Sequence, residues 1–167
     1  MNNRYICKAK RKDNDEWVEG YLIQGNKTYI VTIEAINYMV VSTSCMASIE
    51  LVEVIPKTVG QCTGLKDKNG KLIFGGDVVK IVNFQVGIVT QECGAFGVSI
   101  APCIDWDYLD SEIAEITGCD NMSYFCRNDN FISLYELMWN YNQEEFCDVV
   151  EVIGNIHDNP ELLEVER

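Results

Sequence analysis

Asp67-Lys68-Asn69-Gly70-Lys71-Leu72-Ile73-Phe74-Gly75-Gly76-Asp77-Val78-Val79-Lys80-Ile81-Val82 decides the fold class of this chain. Asn-Gly supplies the positive φ that tight β-turns demand, so residues 67–70 read as the turn of a hairpin. Leu72, Ile73 and Phe74 form the returning strand. Gly75-Gly76-Asp77 then turns the chain again, into a buried-strand run at residues 78–82. Two turns and two strands within sixteen residues predict an antiparallel sheet.

The same grammar extends in both directions. Tyr5, Cys7 and Ala9 alternate with Arg4, Lys8 and Lys10, the two-residue period of a half-buried strand. Lys12-Asp13-Asn14-Asp15 is a polar turn, and residues 17–23 complete a first hairpin. Residues 28–33 and 49–55 are rich in β-branched and aromatic side chains and suit strands. Gly87-Ile88-Val89 and residues 96–100 continue the sheet, with glycines where a curved sheet bulges or turns a corner. Residues 17–23 also match residues 73–79 in pattern, apolar pairs around a glycine, which is either a duplicated hairpin or chance.

Helices enter only late in the chain. Asp110 or Ser111 caps a short helix running to Ile116, with Gly118 beyond its end. Ser133 and Glu136 have capping-box spacing, and Leu134, Leu137, Met138 and Tyr141 share one face of a helix over 133–141. Residues 148–156 return to a strand pattern. Asn159-Pro160-Glu161 reads as an N-cap, a proline at the first helical position and an acid in the first turn of a short terminal helix. The expected fold is mainly β, with two or three short helices in the C-terminal half.

Charge is distributed unevenly. The net charge of −13 divides into zero over residues 1–60, +1 over 61–100 and −14 over 101–167. An acidic C-terminal region repels phosphate backbones and argues against nucleic-acid binding there. The basic patch Arg4, Lys8, Lys10, Arg11 and Lys12, near Tyr5 and Trp17, keeps open a stacking role for the N-terminal β face. The start of the chain lacks a secretory leader's apolar stretch. No apolar run approaches the roughly 20 residues of a membrane-spanning helix. A cytoplasmic location follows as the expectation.

Eight cysteines lie dispersed along a chain of 167 residues, with no CxxC among them. Thiols buried as small hydrophobes are expected, and no metal or cofactor. The single histidine, His157, sits in a turn, so triads and multi-histidine zinc centres lack their parts. Gly60-Gln61-Cys62-Thr63-Gly64 has no GK[ST] ending and is no phosphate loop. Asp105, Asp107, Asp110, Glu112 and Glu115 lack EF-hand spacing, and they flank Trp106 and Tyr108, a pair suited to a protein-contact surface.

Two stretches resemble signatures of the YopX family. Thr58-Val59-Gly60-Gln61-Cys62-Thr63-Gly64-Leu65-Lys66-Asp67-Lys68-Asn69-Gly70-Lys71, followed by Gly76-Asp77-Val78-Val79, is similar to the family's central segment. Glu151-Val152-Ile153-Gly154-Asn155-Ile156-His157-Asp158-Asn159-Pro160-Glu161-Leu162-Leu163 is similar to its C-terminal segment. Trp17 and Gly20-Tyr21-Leu22-Ile23 resemble its opening. The resemblance implies a protein of a bacteriophage, prophage or other mobile element, built around a closed or nearly closed β-barrel. It brings no catalytic residues to carry over. Residues 103–131 fit the family pattern least and read as an insertion.

The signature residues Gly60, Gly64, Gly70, Gly76, Asp77, Gly154, Asn155 and Pro160 are expected to shape the backbone, through turns, close approaches and caps. The chain is expected to be a single unit, 1–167, divisible into a β subdomain at 1–57 and a β-barrel subdomain at 58–167. The functional expectation is a non-catalytic accessory protein that binds protein, itself and a host or phage partner. The alternative is a nucleic-acid-associated regulator using the N-terminal basic β face.

Overall fold

Alternation and turn chemistry produce the strands where they are expected. The computed structural model describes residues 3–32, 51–82, 85–92, 94–101, 104–117, 130–139, 146–147 and 149–163. The chain divides into two compact units, Met1–Cys62 and Thr63–Arg167.

In the first unit, β1 (Ile6–Lys10) and β2 (Trp17–Gln24) form the expected hairpin, with Lys8 opposite Glu19 and Lys10 opposite Trp17. Its turn ends on Asp15 at φ 59, a left-handed position that Asp tolerates. β3 (Thr28–Thr32) and β4 (Leu51–Glu53) follow as antiparallel neighbours. A 3-10 turn at Pro56–Thr58 leads into β5 (Gly60–Asp67), whose Gly60 and Gln61 pair with Lys8 and Cys7. Ala9, Ile30, Val52 and Val54 form the core, backed by Val18, Leu22 and Val59.

In the second unit the later residues of β5 pair with β6 (Leu72–Phe74) across the Asp67–Gly70 turn, and with the two-residue β11 (Phe146–Cys147). Gly70 stands at φ 81 and donates its N–H to the Asp67 carbonyl at 2.9 Å. The main sheet has the order β10-β9-β8-β7-β12, built from β7 (Asp77–Ile81), β8 (Gln85–Glu92), β9 (Ala95–Ser99), β10 (Phe131–Ser133) and β12 (Val150–Asn155). Its core includes Ile73, Val79, Ile81, Val89, Val98, Ile132, Leu134 and Leu137. Gly87 packs so closely on β9 that a Cβ there would lie 2.6 Å from the Ser99 carbonyl oxygen. Both sheets are open orders, and no closed barrel is found among the described residues.

Three readings need correction. The first helix, α1 (Trp106–Thr117), begins four residues before Asp110, because the Asp105 carboxylate accepts the Tyr108 N–H at 3.1 Å and supplies the cap. The terminal helix is only a 3-10 turn, Pro160–Leu163. Val82 is not a strand residue. It sits at φ 57, where its N–H is drawn to the Val149 carbonyl at 2.7 Å. The two echoing segments differ in structure, since residues 17–23 lie within one strand and residues 73–79 form a strand, a turn and a strand.

The helix expected over 133–141 is α2 (Leu134–Trp139), capped by the Ser133 hydroxyl, which accepts the Tyr135 N–H at 3.2 Å. Tyr141 lies outside the described residues, as does Asp148 at the start of the last predicted strand. No helix among the described residues is long and apolar enough to cross a membrane.

Candidate functional site

The two signature stretches meet at β12. Asp77 is fully buried, and its Oδ2 accepts the Phe74 N–H at 2.8 Å, closing the Gly75-Gly76 turn. Its Oδ1 accepts from Asn155 Nδ2 at 3.1 Å. Asn155 in turn uses its Oδ1 to accept the His157 N–H at 3.0 Å. Gly76, at φ 84, accepts the Ile156 N–H on its carbonyl at 3.0 Å and donates to Val89 O at 2.8 Å.

Asp67 makes the second junction, one that the sequence assigned only to a turn. Its Oδ1 accepts the N–H groups of Asn69 and Lys71, each at 2.9 Å, and its Oδ2 accepts the Val152 N–H at 2.9 Å. Lys68 N–H donates to Val150 O at 2.9 Å, and Lys68 Nζ pairs with the Glu151 carboxylate at 2.6 Å. That ammonium holds the Glu151 carboxyl below its usual range. These bonds run to backbone groups or between the two signature stretches. What the arrangement does chemically is fasten a strand.

The remaining signature residues are placed as follows. Gly64 turns at φ 84 in mid-β5. Gly60 is buried and pairs with Lys8. At Gly154 a Cβ would lie 2.7 Å from Asn159 Oδ1 and 2.8 Å from Leu162 Cδ1. Pro160 opens the terminal 3-10 turn and is exposed. His157 is exposed.

Trp106 is half-buried and packs against the core of the second unit. Tyr108 is half-buried, and burial pushes its hydroxyl pKa upward, with Glu112 and Glu115 pushing further. Among the described residues no group of three or more His, Cys, Asp or Glu is arranged to hold a metal ion. Cys119 and Cys126, whose spacing with six residues between them makes a poor metal pair, lie outside those residues.

In the first unit the register sorts side chains onto two faces. Lys8, Lys10, Trp17, Tyr21, Ile23, Tyr29, Leu51 and Glu53 share the face opposite the core. Lys8 Nζ lies 5.1 Å and Lys10 Nζ 5.6 Å from the Trp17 ring centroid, within cation–π range. Arg11 instead forms a two-pronged pair with Asp13, at 2.9 and 2.8 Å. Lys12 and Lys27 converge on Glu53, holding its carboxyl below the usual range.

Beyond the cations the outer face turns apolar. Tyr21 is 37% exposed, Ile23 46% and Leu51 47%. This patch escaped the sequence reading, although Tyr21 and Ile23 are two apart on a strand whose buried side is set by Gly20 and Leu22. Parity alone would have placed them outward.

A family model described as YopX protein matches residues 8–164. No curated protein matches the chain.

Proposed function

The chain belongs to the YopX family, and on that premise we propose that it is a bacteriophage or mobile-element accessory protein that acts in the bacterial cytoplasm by binding another protein rather than by catalysis. The observation that carries this reading is the outward cluster of Tyr21, Ile23 and Leu51. Register sets Tyr21 opposite Val31, and Val31 opposite Leu51, so Tyr21 and Leu51 flank the buried Val31 on one face of β2, β3 and β4, with Ile23 two residues along β2 from Tyr21. Aromatic and aliphatic side chains grouped on an exposed face are the usual anchors of protein contacts. Self-association through the same cluster belongs to the reading. So does a nearly closed barrel, placed in the first unit and not at residues 58–167 where the sequence reading expected it, and supported by an isolated bridge between Arg11 and Val54 that links the ends of β1 and β4.

The test is tagged purification from the phage-carrying host, comparing the natural chain with Tyr21→Ser/Ile23→Ser. A specific protein should co-purify with the natural chain and be lost with the variant. Recovery of nothing specific, or identical recovery with both, ends the reading.

Lys10 and the buried Lys8, both over the Trp17 ring, favour a second reading, a nucleic-acid-associated regulator using the N-terminal basic β face. It requires salt-dependent binding to single-stranded nucleic acid that Lys8→Gln/Lys10→Gln removes. Binding indifferent to those substitutions excludes it.

A further inference from the structure

The hydrogen-bond parity of β4 exposes an edge. Val54 N–H donates to Thr28 O at 3.0 Å, so Val54 and Val52 direct their backbone groups toward β3. Leu51 and Glu53, the alternate residues, therefore direct theirs away from it. The end of β1 fills part of that outer edge. Lys12 N–H donates to Glu53 O at 3.0 Å and Ile55 N–H donates to Lys10 O at 2.9 Å.

At Asp13 the chain turns away toward β2. Among the described residues nothing then pairs with the Glu53 N–H or the Leu51 carbonyl. Beside them opens a recess of about 290 Å³ lined by Arg11, Lys12, Asp13, Leu51, Val52 and Glu53. Among the described residues three cations, Arg11, Lys12 and Lys27, pair around the edge with two carboxylates, Asp13 and Glu53, one positive charge in excess.

We propose that this edge receives an extended, acidic peptide segment of the partner protein, added to β4 as a further strand. Unpaired backbone groups at an exposed strand edge select an extended chain. The recess accepts an aliphatic side chain beside Leu51, and the excess positive charge favours a carboxylate next to it. The inference rests on the protein-binding reading above and names the chemistry of its partner.

Binding of the full chain to an array of end-blocked octapeptides, varied in charge and aliphatic content, tests it by fluorescence anisotropy. Acidic, strand-forming peptides should be selected. Their affinity should fall by about tenfold or more when alternate amides of one parity are N-methylated, and hold when the other parity is methylated. Leu51→Pro, which removes an outward N–H while leaving the pairing with β3 intact, should abolish binding. Should that variant not fold, the methylation series decides alone.

Failure of every peptide to bind, or equal loss with both parities, overturns the proposal. Partner capture lost in Tyr21→Ser/Ile23→Ser, with no peptide ever binding the edge, sinks this inference and leaves the protein-binding reading standing.

Discussion

Asp67 Oδ2 accepts the backbone N–H of Val152 at 2.9 Å across 85 residues of sequence. The carboxylate stands where a neighbouring strand's carbonyl would stand, so one side chain serves the free edge of β12. Its other oxygen holds the hairpin turn closed through Asn69 and Lys71. Turn formation and docking of the last strand are thereby made one event.

Asp67→Ala should therefore destabilise the second unit by about 3 kcal/mol, because three backbone donors lose a charged acceptor at once. Asp67→Asn keeps one oxygen and should cost about half as much. Urea denaturation measures both. Amide exchange adds a sharper check, since the Val152 N–H should lose protection in either variant ahead of its neighbours on β12.

Gly20 and Gly25 make a matched pair for the first unit. A Cβ on Gly20 would fall well inside contact distance of the Val31 carbonyl oxygen, a backbone atom that cannot swing aside. At Gly25 the nearest atom is the Lys27 carbonyl oxygen, 4.0 Å away. Gly20→Ala should cost about 3 kcal/mol or prevent accumulation of folded protein, whereas Gly25→Ala should stay within about 0.5 kcal/mol of the natural chain. Equal thermal melting of the two variants would contradict the close approach of β2 and β3.

Strand identity was legible wherever local chemistry determined it. Asn69-Gly70 marked its turn, and Ser133 marked the start of α2, because a turn residue and a cap act within three or four positions. Asp67 was legible only as part of that turn. Its bond to Val152 depends on where a strand 85 residues later is laid, and no local pattern carries that. Val82 misled for the same reason: a valine after Ile81 reads as strand, and only the Val149 carbonyl draws it into the left-handed region. At α1, Asp105, Asp110 and Ser111 are all cap residues, and the buried Leu109 settles the choice by placing the first turn before it. The apolar cluster at Tyr21, Ile23 and Leu51 required the register of three strands, two of them separated by residues 33–50.

The Lys12–Glu53–Lys27 cluster makes a prediction in pH. Its Glu53 carboxyl is depressed, first by the Lys12 hydrogen bond and then by that of Lys27. A depressed carboxyl contributes stability that is present above its unfolded pKa, about 4.3, and is lost as the pH falls through the lower folded value. Glu53→Gln should thus melt below the natural chain at pH 7, and the gap should close as the solution is acidified past pH 4. Salt at about 1 M should shrink the gap too, because the groups are solvent-exposed. A gap that persists at pH 2.5 would mean that Glu53 acts through packing instead.

Cys7 and Cys62 are buried thiols in the first unit. Burial pushes the Cys7 pKa above its ordinary value, and the neighbouring Cys62 pushes it further. Because the thiolate is the reactive form, Cys7 should resist iodoacetamide at pH 8 in the folded chain and react when urea opens the unit. The linkage runs opposite to that of Glu53. An acid whose folded pKa is raised favours folding below its unfolded pKa, about 8.5, and that contribution disappears as the pH climbs toward the folded value. Stability of the natural chain should accordingly decline above pH 8.5 more steeply than that of Cys7→Ala. Mass spectrometry of alkylated peptides reads the first effect and urea titration at pH 7 and 9.5 the second. Rapid native labelling of Cys7 would show that the β1–β5 edge opens far more readily than its pairing with Gln61 implies.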